Sequence, residues 1–420
     1  MRTLLAFLIS VIVLSGCVKD KDSPTTPGAY TDKIILNDLQ ATPDSAVLTW
    51  SPLINPDFVS YSIVRKEDST APGNIRATII DPGNVKYVDL AIPYVPYVEY
   101  QIIGNLKNGK RIESNKVKYL RSNILKFSPF DIQFDDQTRQ VYLFDKTGVI
   151  SIYSLQTNQI TKTITTGATI GFCDFGMYNG VKELYVPRND GWVFVYNAQT
   201  LQLIDQISVG LPSSSVVFSN NALYVSTSAW TNQPLKVYSR VTKSKISENG
   251  DFQLTRLKKF PNSNTELIEI TINISPVDQD YYSFDANGNF IQHLNDTYHG
   301  DYPLDYKIFE IFPSGNKYIT SSSGAIYNKN MVFEANLPRG NSSFTCFYFD
   351  VAQHQIYCGT NSKSIEVYSE LDYKYIRTIT TKTYPFRIFK DGNNGLVCLG
   401  STAAPNPYSD PQNIIVETIQ

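Results

Sequence analysis

The chain is 420 residues long, more than one hydrophobic core usually organises, so two or more domains are expected. Hydrophobic residues make up 42% and charged residues 18%, with 28 Tyr and 22 Phe against 3 Met, a balance that favours a folded, all-β body. A formal net charge of -2, from 37 basic and 39 acidic side chains without long runs of either sign, leaves no electrostatic footprint for nucleic acid.

The N-terminus carries the most specific signal. Arg2 gives a positive start, and the apolar run Leu4 to Leu14 is too short to span a bilayer as a helix. Residues 1–16 therefore read as a secretory signal. Leu14-Ser15-Gly16-Cys17 resembles the bacterial lipobox, in which the Cys is acylated and becomes the mature N-terminus. That resemblance implies a lipid anchor on Cys17, held in a membrane at about 0.8 kcal/mol per buried methylene. Residues 17–29 are polar and rich in Pro and Thr, the composition of a tether. Their charged Lys19 to Asp22 stretch resembles the surface-export signals of Bacteroidetes lipoproteins, which implies the outer membrane, with cell-surface display preferred over the periplasmic face.

Residues 30–120 show alternating runs at short intervals: Ala46 to Trp50, Tyr61 to Arg65 and Tyr100 to Ile103. This spacing predicts a β-sandwich. With Trp50 as the core Trp, Tyr61 opening the next strand and Asn108-Gly109-Lys110 as a turn, the segment resembles a fibronectin type III, immunoglobulin-like domain. It departs from that family at the corner tyrosine, where Val98 stands two residues before Tyr100. The expected role is a stalk or spacer.

Residues 121–420 repeat an apolar-x-apolar-Tyr signature closing at Tyr153, Tyr196, Tyr238 and Tyr368. The first steps are 43 and 42 residues (153 to 196, 196 to 238), and the gap to Tyr368 holds three more, with Phe284 and Tyr327 near the missing positions. A further step reaches Ile414-Ile415-Val416. Such a period with short strands and Asn/Gly turns predicts one four-stranded propeller blade per repeat, seven in all, with six or eight as alternatives. Strands such as Leu184-Tyr185-Val186 and Leu223-Tyr224-Val225 resemble YVTN-type, quinoprotein-like propellers, a family that implies a fold and no single activity. The last repeat ends on its third strand, so 123–127 is expected to supply the fourth.

Catalytic and metal signatures are not recognised, and no cofactor is expected. His293, His299 and His354 have no neighbour at metal-ligand spacing. Asp285 to Asn289 departs from a calcium loop in its glycine position and reads as a type I′ hairpin turn. Cys346 and Cys358 fall on adjacent predicted strands and are read as buried thiols, with a disulfide as the alternative. Propellers bind through the loops after second strands and between blades. Candidate ligand contacts there are Trp230, then Tyr298, His299 and Tyr302, then Tyr408 in the insertion Ala403 to Gln412, with Arg188 and Asp190 as weaker candidates. The expectation is a non-catalytic, membrane-anchored binding or scaffold module docking a protein partner in the cell envelope. Alternatives are glycan capture by converging aromatic planes, and a propeller hydrolase or lyase with carboxylates or histidines gathered at its channel.

Overall fold

The computed structural model describes residues 30–419 except 43, 120, 122, 393, 394 and 407; the signal segment, Cys17 and the tether lie outside them. The described chain is built from antiparallel strands, and none of its helices is long and apolar enough to cross a membrane. It divides into two compact units, 30–92 with 98–119, and 93–97 with 121–419.

The first unit has two sheets. One orders Gln40–Ala41, Ala46–Thr49 and Lys86–Asp89. The other orders Asn74–Ile79, Phe58–Lys66, Val98–Leu106 and Arg111–Glu113, with Val117–Tyr119 also pairing Val98–Leu106. Alternation puts Tyr61, Ile63, Tyr100 and Ile102 inside, and Trp50 meets Tyr61 edge-on at 5.4 Å. A buried polar contact joins the sheets: Arg65 Nη1 and Tyr100 Oη donate to Asp89 Oδ2 at 2.7 and 2.8 Å.

The second unit contains, among the described residues, seven four-stranded antiparallel sheets. Sheets 1 to 6 are consecutive meanders over 131–165, 174–208, 213–249, 255–295, 309–336 and 344–380. Sheet 7 takes Tyr384–Asp391, Gly395–Ser401 and Ile414–Ile419 from the end of the chain and Ile124–Leu125 from before the first sheet. Ile415 pairs with Ile124 and Ile414 with Leu125, so the edge left open by the last repeat is covered from the expected segment.

Apolar side chains on both faces of each sheet explain why the sheets associate in series. Sheets 1 and 2 share a core around Phe144, Ile152, Leu184 and Val186. Each following pair shares another, and Leu125, Val141, Leu143, Val397 and Ile414 join sheet 7 back to sheet 1.

The repeated tyrosine has a local structural meaning. The ladder between third and fourth strands shifts register just before Tyr153, Tyr196, Tyr238, Phe284, Tyr327 and Tyr368. An irregularity of this kind bends the strand and adds twist, while the aromatic ring stays in the core. In four repeats the following turn ends on a left-handed residue, Asn158, Leu201, Lys243 or Tyr373, with φ of 53°, 55°, 60° and 58°. The N–H of each donates four residues back, to Ser154, Asn197, Ser239 or Ser369, at 2.9 to 3.0 Å.

Two local expectations need correction or resolution. In the turn Asp285 to Asn289 only Gly288 has positive φ, 85°, whereas a type I′ turn needs two such residues. Asp285 Oδ1 instead accepts from the N–H groups of Asn287 and Asn289, both at 2.8 Å. Cys346 and Cys358 are free. Cys358 opposes Phe347, one residue along from Cys346, so the period of two sends the two thiols to opposite faces of the sheet. Cys358 packs with Phe347 toward sheet 5, and Cys346 with Cys398 toward sheet 7.

Candidate functional site

The first strands of all seven sheets contribute to one cavity of about 480 Å³. Four basic side chains, Arg256, Lys258, Lys259 and Arg387, and three acidic ones, Asp131, Asp174 and Glu310, line it among aromatic residues that include Phe134, Phe172, Phe349 and Phe389.

Asp131 organises the charge. It is 2% exposed, and its Oδ1 accepts from Arg256 Nη2 at 3.2 Å and Arg387 Nη2 at 3.1 Å. Gln133 Nε2 donates to Oδ2 at 3.2 Å and to the Cys173 carbonyl at 2.8 Å. Burial works against the carboxylate, but the two guanidinium charges prevail and hold it below its ordinary value. Arg256 also donates to the Tyr306 carbonyl at 2.7 Å and lies over the Phe172 ring at 4.2 Å. Arg387 donates to the Phe386 carbonyl at 2.9 Å and lies over that ring at 4.7 Å.

Two further pairs cross between sheets: Lys258 to Glu310 at 2.6 Å, and Lys259 to Asp174 at 3.2 Å. Burial pulls the Lys258 ammonium below its ordinary value. Each carboxylate of the cavity is therefore met by a cation, and the cluster acts as a belt joining sheet 4 to sheets 1, 2, 5 and 7. A carboxylate saturated by two guanidiniums is a poor proton donor and a poor metal ligand. Cys173, also in the lining, is pushed well above its ordinary value by burial, so its thiol stays protonated. Sequence reading missed this belt, because Asp131, Arg256 and Arg387 meet only when the sheets associate and no local spacing announces them.

The candidates chosen from sequence sit on loops with different degrees of freedom. Trp230, between the second and third strands of sheet 3, is 79% exposed. Tyr408, between the second and third strands of sheet 7, is 94% exposed. Tyr298, His299 and Tyr302 lie in the connection between sheets 4 and 5. Tyr302 stacks on Phe333 with centroids 3.9 Å apart, and Tyr298 meets Tyr302 edge-on at 4.8 Å while its Oη accepts from Phe333 N at 3.3 Å. Those two rings are packed into the sheet 4 and 5 core. His299 is exposed, with Nδ1 3.4 Å from Asp278 Oδ2. Arg188 is buried: it pairs with Asp190, donates to the Thr166 carbonyl at 2.6 Å and lies over the Phe194 ring at 3.8 Å. It joins the loop of sheet 2 to the connection leaving sheet 1.

The insertion carrying Tyr408 is held by its own base. Asp410 lies 3.8 Å from Lys146 Nζ of sheet 1 and 3.7 Å from Lys307 Nζ, just before the first strand of sheet 5. One aspartate thus draws the sheet 7 loop toward two other sheets, leaving Tyr408 pointing outward. Such partly exposed pairs contribute about 1 kcal/mol or less each, so they orient the loop more than they stabilise the fold. No family model matches this chain, and no curated protein matches it.

Proposed function

We propose that the chain is an envelope lipoprotein, anchored to the outer membrane through acylated Cys17, whose second unit is a seven-bladed β-propeller docking a protein partner through its loop face. The first unit, of fibronectin type III kind, serves as the spacer. Seven four-stranded sheets, shared cores that return from sheet 7 to sheet 1, and one cavity lined by every first strand support the propeller reading.

The observation that carries the docking reading is the pair of bare aromatic side chains, Trp230 and Tyr408, both on loops that follow a second strand. In a propeller such loops share one face. Exposed Trp and Tyr lose little conformational entropy on binding and bring large apolar area, which is why they anchor interfaces. Glycan capture would draw on Tyr302 as a third plane, and that ring is already stacked on Phe333. Protein docking is therefore the preferred reading.

The test is purification of the native lipoprotein with an antibody from mildly solubilised membranes, beside a Trp230→Ala/Tyr408→Ala variant. The reading predicts a stoichiometric envelope protein with the parent and its loss with the variant. Equal recovery with both would remove the loop face as the docking surface, and isolation of the parent alone would favour glycan screening. Cys17→Ser should release the protein from membranes. Protease shaving of intact cells reports whether the propeller faces outward.

A further inference from the structure

Sheet 4 contains a second polar centre, built on different residues from the cavity belt. Asp280 lies in its third strand, Gln279–Phe284, opposite Glu269 of the second strand, Glu266–Thr271. Asp280 and Glu269 have no exposed surface. His293 comes from the fourth strand, Phe290–Asn295, two residues before the Asn295 that opposes Asp280, which places the imidazole on the same face. Asp251 reaches in from the connection between sheets 3 and 4.

One ligand atom each from Asp251, Asp280 and His293 lie within 4.8 Å of one another. Asp280 Oδ2 is hydrogen-bonded to His293 Nε2 at 2.8 Å, a contact that an ion between the two groups would replace. Its other oxygen, Oδ1, is buried with no hydrogen-bond partner. That orphan is an independent sign, because a buried carboxylate oxygen left unpaired is costly. The donor set points the same way: Asp251 and Asp280 bring two carboxyl groups to one imidazole.

The surroundings orient these donors. Asn295 Nδ2 donates to Asp251 Oδ2 at 3.0 Å, and the Tyr282 ring stacks on the His293 ring at 4.6 Å and 17°. Tyr282 Oη bridges toward Glu269 Oε1 at 2.7 Å and Asp280 Oδ2 at 3.2 Å, and Thr255 Oγ1 donates to Glu269 Oε2 at 2.7 Å. Partners of this sort fix the orientation of metal-binding side chains.

We propose that Asp251, Asp280 and His293 bind a divalent transition-metal ion of the zinc class. One imidazole nitrogen with two carboxylates suits Zn²⁺ better than an all-oxygen shell suited to Ca²⁺. Asp251, exposed at the rim beside the mostly buried His293, gives the ion an entry path and solvent to complete its shell.

The full chain, purified in detergent and stripped with a chelator, is titrated calorimetrically with ZnCl₂ and separately with CaCl₂, and melted with and without each. The proposal expects one Zn²⁺ per chain, a raised Tm with Zn²⁺ and little response to Ca²⁺. Asp251→Asn, at an exposed position that leaves the sheet intact, and His293→Gln should each weaken Zn²⁺ binding at least tenfold, with unchanged circular dichroism. Absence of Zn²⁺ binding in the parent, or binding untouched by both substitutions, would overturn it; the latter result would put the ion elsewhere.

Discussion

Arg387 Nη2 lies 3.1 Å from Asp131 Oδ1, although 256 positions separate the two residues in the chain. Asp131 begins sheet 1, Arg387 belongs to sheet 7, and the same oxygen accepts from Arg256 of sheet 4. One buried atom therefore registers three sheets against one another. Pairs of this kind seldom outweigh apolar packing of equal volume, because both charges lose water, but removing one partner exposes the full cost of the other.

Asp131→Ala should lower the stability of the second unit by about 3–5 kcal/mol, since it leaves two guanidiniums buried without their shared counter-charge. Urea unfolding followed at a probe in that unit reads the effect. Combining the change with Arg256→Met and Arg387→Met should recover much of the loss. A single variant with the parent's midpoint would mean that the belt carries no such cost.

In the first unit, Asp89 ties stability to acid. Burial opposes its ionisation, but hydrogen bonds from Ala91 N and Tyr100 Oη, together with Arg65, hold its carboxyl below the ordinary value. A depressed folded value means that the contribution is complete above the unfolded value, about pH 3.9, and is lost as pH falls through the folded one. Asp89→Asn should therefore flatten the acid limb of the first unit's stability curve, besides lowering stability at neutral pH. Parallel acid limbs for parent and variant would remove Asp89 from this role.

Gly171 lies in the connection between sheets 1 and 2, against the backbone of the first strand of sheet 3. Phe172 N donates to the Ser214 carbonyl at 2.8 Å and Val216 N to the Phe172 carbonyl at 3.0 Å, and a Cβ on Gly171 would stand 2.0 Å from the Ser214 oxygen. Backbone cannot yield as a flexible side chain can. Gly171→Ala should cost about 1–3 kcal/mol by overpacking, read as a lower thermal midpoint, while Gly210→Ala, where a Cβ meets nothing, tests the left-handed backbone alone.

Cys173, Cys346, Cys358 and Cys398 are buried free thiols, each pushed above its ordinary value by burial. All four should stay silent toward a thiol reagent at pH 8 in the native protein and react together on unfolding. Rapid native labelling at Cys346 or Cys358 would contradict the two-face packing that keeps them apart.

What the sequence displayed was the local and periodic part of this architecture. Tyr153, Tyr196, Tyr238 and Tyr368 announce a repeat because each serves the same bend at the same place in its sheet, and Phe284 and Tyr327 fill that place in two others. Ile124 and Leu125 were legible from the missing fourth strand. Asp131 with Arg387, and Asp251 with His293, were not, since each pair meets through sheet association or register and shares no spacing. The bare loop aromatics Trp230 and Tyr408 looked no different in sequence from Tyr302, whose partner Phe333 is supplied by the next sheet.

A strand from before sheet 1 completes sheet 7. Val416 N donates to the Asn123 carbonyl at 3.2 Å, so the neighbouring pair Ile124 and Ile415 is a non-hydrogen-bonded one, the closer kind, with a Cα separation suited to a disulfide. The most direct measurement is mass spectrometry of the unreduced Ile124→Cys/Ile415→Cys variant after oxidative folding. The expected result is a peptide cross-linking these two positions in nearly every molecule, with the thermal midpoint kept or raised. Two free thiols at those positions in a folded protein would contradict it.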